Sequence, residues 1–116
     1  MQTWATQHPR VWVILAEKAQ ADIWSRGANG FEVIAGVKGI SDSPRFEEKF
    51  SEWLLSARDQ DALDRIILIA PEEILRIFWE AMPTDVLACM AAEIPKDFSG
   101  LSQSERKKIL EKMICV

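Results

Sequence analysis

The sequence predicts an α/β domain built on one five-stranded mixed sheet, ordered 3-2-1-4-5, with helices packed against it. Three observations carry that expectation. A continuously apolar, β-rich run, Val11–Ala16, suits a central strand covered on both faces. A second such run, Ile66–Ile69, lies between two stretches of helical periodicity. An Asn29-Gly30 pair between alternating segments marks a hairpin, because both residue types tolerate the positive φ of tight hairpin turns.

The elements follow in order. Val11–Ala16 is strand β1. In Ala19–Arg26, Ala19, Ala21 and Ile23 alternate with Gln20, Asp22 and Trp24, giving strand β2. The returning strand β3, Phe31–Lys38, places Phe31, Val33, Ala35 and Val37 on one face by strict alternation. Ser43-Pro44 reads as a helix cap followed by proline at the first helical position, where its missing N–H costs nothing. Phe46, Phe50, Trp53, Leu54 and Ala57 then form a wide apolar stripe at helical spacing.

Strand β4 is Ile66–Ile69. Pro71 opens the next helix, whose buried face is Ile74, Leu75, Phe78, Trp79 and Met82, and Pro83 ends it. The apolar segment Val86–Ile94 divides into a short helical turn and strand β5 at Met90–Ile94. Ser102-Gln103-Ser104-Glu105 is a capping box for a last helix with Ile109, Leu110, Met113 and Ile114 on its apolar side. The order is βββαβαβα, and right-handed crossovers set β4 and β5 parallel to β1.

Composition bounds the function. The 116 residues, 48% hydrophobic and 28% charged, are those of an ordinary folded domain of cytoplasmic type. Met1–Arg10 is polar and reads as a short arm before a domain spanning 11–116. No apolar stretch is long enough to span a bilayer. Two cysteines, Cys89 and Cys115, and a lone His8 indicate neither a disulfide scaffold nor a zinc site, and no cofactor motif is present. The net charge of −4 disfavours a large nucleic-acid footprint, since the one dense basic segment, Arg106-Lys107-Lys108, is flanked by Glu105 and Glu111.

Asp64-Arg65-Ile66-Ile67-Leu68-Ile69-Ala70-Pro71, then Ile74-Leu75, then Ala92-Glu93-Ile94-Pro95-Lys96-Asp97-Phe98-Ser99 resemble the bacterial family called "protein required for attachment to host cells". Its members read like DRLVLVAPP, a leucine-rich helix, and a strand running into KDLT. Ala16-Glu17-Lys18-Ala19-Gln20-Ala21 looks like a variant of that family's segment after the first strand. The family is distantly similar to the middle domain of archaeal and eukaryotic class-one release factors and of Pelota, which supports the ribonuclease-H-like arrangement that the order 3-2-1-4-5 gives. Here the family's aspartate and arginines after β1 become Glu17, Gln20 and Asp22, and its second proline after β4 becomes Glu72. Its Gly/Arg-rich insert is nearly absent, and there is no Gly-Gly-Gln tripeptide, so peptide release does not carry over.

The carboxyl ends of parallel β1, β4 and β5 share one edge, the usual ligand edge of an open α/β sheet. Glu17, Glu72, Glu73, Lys96 and Asp97 follow those strands. Two readings stand for the acids: a carboxylate cluster able to hold Mg²⁺ for phosphodiester hydrolysis, or helix-dipole partners and solvated loop residues. β1 carries no acid of its own, which favours a scaffold without catalysis. Lys96-Asp97 is either a binding pair or a turn in which Asp97 bonds nearby backbone N–H groups. Among five tryptophans, Trp12, Trp53 and Trp79 fall on core-facing positions. Trp24 and Trp4 are each a candidate partner anchor, with coverage by a helix the alternative for Trp24.

The function this supports is a non-enzymatic binding or adaptor domain of the attachment-protein type, with an unknown protein partner or self-association through an edge strand. Its alternatives are a divergent metal-dependent nuclease or phosphohydrolase and a ribosome-associated, release-factor-like module.

Overall fold

Six consecutive apolar residues form β1, Val11–Ala16, and their position at the centre of the sheet explains why neither face of that strand is polar. The structure is a computed structural model that describes residues 11–17, 20–27, 30–38, 46–60 and 63–114. The arm with Trp4 and His8, the Ser43-Pro44 cap and Cys115 lie outside the described residues.

The other strands are β2 (Gln20–Gly27), β3 (Gly30–Lys38), β4 (Arg65–Ala70) and β5 (Met90–Pro95). The helices are α1 (Phe46–Asp59), α2 (Glu72–Ala81), the single turn α3 (Thr84–Leu87) and α4 (Gln103–Met113). The sheet order is β3-β2-β1-β4-β5, as the sequence predicts. β1 runs parallel to β4 and β4 to β5, while β1–β2 and β2–β3 are antiparallel. At the hairpin the ladder ends on Gly27 opposite Gly30, and Gly30 takes a φ of +95°, a left-handed conformation that glycine adopts without strain.

Alternation along the strands sorts side chains onto two faces. Trp12, Ile14 and Ala16 of β1, Ile66, Leu68 and Ala70 of β4, and Ala21 and Ile23 of β2 meet Phe50 and Leu54 of α1 and Leu75 and Phe78 of α2. Val13, Leu15, Trp24, Phe31 and Ile69 point the other way, onto Phe98 and Leu110. The chain is thus three layers, with α1 and α2 on one face of the sheet and α4 on the other.

Strict alternation fails in β3. The register passes from Trp24 opposite Val33 to Ile23 opposite Ala35, leaving Ile34 as an extra residue. This bulge moves Ala35 to the α1/α2 face while Phe31 stays beneath α4. The single face predicted for Phe31, Val33 and Ala35 is therefore split. A similar shift between Ile66 and Ile67 leaves Ala91 unmatched in β5. Both outer strands are bulged, which twists and blunts an edge and works against strand-to-strand self-association.

Two tryptophans differ from expectation. Trp53 stacks on Phe50 at 5.8 Å and lies 5.6 Å from Trp12, yet stays 38% exposed because it sits at the margin of the stripe whose centre is Phe50 and Leu54. Trp79 is 42% exposed: the core takes Leu75, Phe78 and Met82, and residue 79 lies about 100° round the helix from 78. Trp12 is a core residue, as predicted, and Cys89 lies in the same core.

Candidate functional site

The carboxyl-end edge of the parallel strands is organised by an arginine. Between the close of β1 and the start of β2 the Glu17 N–H donates to the Gln20 carbonyl at 2.7 Å. Leu15 pairs with Asp22, so Glu17 and Asp22 stand on adjacent strands. The capping box starts α4 above them as predicted. Ser102 Oγ accepts from the Glu105 N–H at 3.2 Å, and the Glu105 carboxylate accepts from the Ser102 N–H at 2.9 Å. One turn on, Arg106 points inward. Its Nη1 donates to Asp22 Oδ2 at 2.7 Å and its Nη2 to Glu17 Oε2 at 3.2 Å. Gln103 Nε2 adds a longer bond to the same Asp22 oxygen at 3.4 Å.

The guanidinium is nearly sealed, with its side chain 10% exposed against 25% for Glu17 and 21% for Asp22. A planar fork that satisfies two separate carboxylates at this depth sets helix position and orientation. The cluster carries two negative charges against one positive. Sequence reasoning named Glu17 but missed its partner, reading Arg106 only as part of a dense basic segment flanked by Glu105 and Glu111. A signal was present, for Arg106 precedes the buried Leu110 by four residues and so shares its face.

The remaining predicted residues are not drawn into this cluster. Glu72 is exposed in the first turn of α2 beside Glu73, suited to the helix dipole. Lys96 is exposed, its backbone N–H donating to the Ala70 carbonyl at 3.0 Å. Asp97 closes a local turn: Oδ1 accepts from Ser99 Oγ at 2.6 Å and from the Ser99 N–H at 2.9 Å. The Ser99 hydroxyl bond first, then the backbone bond, holds the Asp97 carboxyl below its ordinary value. Trp24 is 2% exposed and packs with Phe31, Phe98 and Leu110 under α4, so it is a core residue and not a surface anchor. Among the described residues no group of three His, Cys, Asp or Glu side chains is arranged to hold a metal ion.

The site therefore lies at an edge shared by three parallel strands, closed from above by a capped helix. Residues 38–112 match the profile of the bacterial archaeo-eukaryotic release factor family 12, well over half of the chain. The chain belongs to that family. Its fold is similar to part of the archaeal translation termination factor aRF1, with a TM-score of 0.58 and 17% identity, covering 91% of this chain and 35% of that one. It is similar also to part of Archaeoglobus fulgidus Pelota, with a TM-score of 0.61 and 15% identity, covering 97% of this chain and 34% of that one. A further structure, described as an archaeal protein, matches with a TM-score of 0.57 and 17% identity over 92% of this chain and 34% of its own. The chain thus spans about a third of the length of the structures it matches. No curated protein matches it. Among the described residues no helix is long and apolar enough to cross a membrane.

Proposed function

We propose that this chain is a non-catalytic binding module that works on the translation apparatus as a release-factor-like domain, recognising its target through protein contacts. The observation that carries the reading is family membership across α1 to α4, joined to a fold shared with parts of a translation termination factor and of Pelota. Two features of the chain support the non-catalytic reading. It contains no Gly-Gly-Gln tripeptide. The ligand edge of its sheet is occupied by the chain's own Arg106, which forms ion pairs with Glu17 and Asp22. The net charge of −4 favours contact with protein over contact with a phosphate backbone. An adaptor role of the attachment-protein kind would use the same physical activity on a different partner.

Co-sedimentation with purified bacterial ribosomes, idle and stalled on a message, tests the reading. The expected result is pelleting with one ribosomal state together with failure to release a peptide from peptidyl-tRNA. Recovery entirely in the supernatant with every ribosomal state overturns it.

A further inference from the structure

The outer surfaces of α1 and α2 form a groove that the translation-module reading does not use. The two helices pack side by side, with Phe50, Leu54, Leu75 and Phe78 turned into the core. Their other sides enclose an open groove of about 880 Å³. Leu55, Ile77 and Ala81 give it an apolar lining, and Ile77 is 40% exposed. Glu48, Glu52 and Glu80 line it as well, and among the described residues no lysine or arginine does. Lys49 and Arg76 are exposed on the same helices but outside the groove. On α1 the lining residues Glu48, Glu52 and Leu55 recur at i, i+4 and i+7, and on α2 Ile77, Glu80 and Ala81 recur at i, i+3 and i+4, so each set occupies one continuous face.

Dimensions and charge select the occupant. α2 is about 15 Å long and α1 about 21 Å, which fits two to three turns of a third helix laid along them. An apolar strip between carboxylates complements a segment with apolar anchors at helical spacing and cationic flanks. The same carboxylates repel phosphate, whether of nucleic acid or of anionic lipid. A second copy of this chain, itself at −4, is a poor electrostatic match.

We propose that the groove between α1 and α2 is a docking site for a basic amphipathic helical segment of a protein partner, with its apolar anchors on Leu55 and Ile77 and its lysines or arginines at Glu52 and Glu80. The proposal adds a surface to the translation-module reading and rests on that reading only for which protein supplies the segment.

The test uses the full chain and a fluorescein-labelled peptide with leucines at i, i+3, i+4 and i+7 and arginines on the flanks. Saturable binding by anisotropy is expected, weakened about tenfold or more, equivalent to about 1.4 kcal/mol, by Glu52→Lys with Glu80→Lys. Both substitutions are at exposed positions, and an unchanged circular dichroism spectrum shows that the variant folds. Ile77→Ser is expected to weaken the leucine peptide as well. Equal affinity for a peptide of the same charge with serines in place of leucines overturns the proposal, as does no binding up to millimolar peptide. So does a dimer in sedimentation equilibrium that the charge reversals disrupt, which would make a second copy the occupant. The peptide assay decides the groove and ribosome pelleting decides the translation reading, so the failure of either is visible without the other.

Discussion

The two faces of the sheet are built on different principles. The α1/α2 face is a continuous apolar interior, in which Phe50, Leu54, Ile14, Ile23, Leu68 and Phe78 are all within a few per cent of complete burial. The α4 face is smaller, and the helix covering it buries only Leu110 completely and Arg106 nearly so. On the first face, non-directional apolar burial supplies stability and tolerates small shifts of the helices. On the second, a guanidinium held by two carboxylates fixes position through directional bonds, at a desolvation cost that apolar packing does not incur. Most of the free energy of the fold therefore comes from one side, while the register of the last helix is set on the other.

The sharpest test of that contrast removes a ring from the larger core. Phe78 packs edge-on against Phe50 at 5.7 Å, and Phe78→Ala is expected to cost about 3–5 kcal/mol in urea denaturation. On the opposite face, Arg106→Ala leaves Glu17 and Asp22 without the guanidinium that pairs with both. A fully buried pair broken in this way costs about 3–5 kcal/mol, and the partial exposure of the carboxylates lowers the expectation to about 2–3 kcal/mol. Arg106→Lys should recover only part of the loss, because a point charge cannot bridge both partners. Amide exchange in α4 should then quicken before exchange in α1. A larger loss from Arg106→Ala than from Phe78→Ala would break the comparison.

A smaller effect is expected where the hairpin meets α4. Gly30 has φ +95°, and a Cβ there would meet the Glu111 carboxylate, which accepts from the Phe31 N–H at 3.4 Å. Gly30→Ala should cost about 1–2 kcal/mol in thermal or urea melts. Adding Glu111→Ala should relieve the collision and leave the backbone term.

Smallest is a pH effect on the α4 side. Asp97 is held below its ordinary pKa by the Ser99 hydroxyl and N–H, and Glu105 below its own by bonds with Ser102, backbone first. Folded values lower than unfolded ones make each contribution present above the ordinary carboxylate pKa and lost as pH falls through the depressed folded value. Ser99→Ala should therefore flatten the acid side of the stability profile slightly and raise the Asp97 midpoint in an NMR titration. A midpoint unmoved by Ser99→Ala would remove that hydroxyl as the cause.

Much of this architecture was legible along the chain because it depends on local or periodic chemistry. The run at Val11–Ala16 needed cover on both faces, Pro71 and Pro83 punctuated the helices, and the Ser102–Glu105 box announced α4. Trp53, Trp79 and Trp24 were less legible, because a residue at the edge of a stripe is buried or exposed according to what lies opposite it. Of the candidate site, Glu17 was found from its place after β1, whereas Asp22 and Arg106 were not named, since a pairing that spans 84 residues leaves no local pattern.

The sequence by itself determined the elements, their order and the parallel pairing of β1, β4 and β5, since those follow from apolar periodicity, capping chemistry and the handedness of crossovers. Tertiary structure alone decided that Ile34 would bulge, that Trp24 would be covered and that Arg106 would close the sheet edge. Each of these depends on the three-dimensional fit of segments distant in the chain, where desolvation and hydrogen-bond geometry are set by neighbours that no local pattern names.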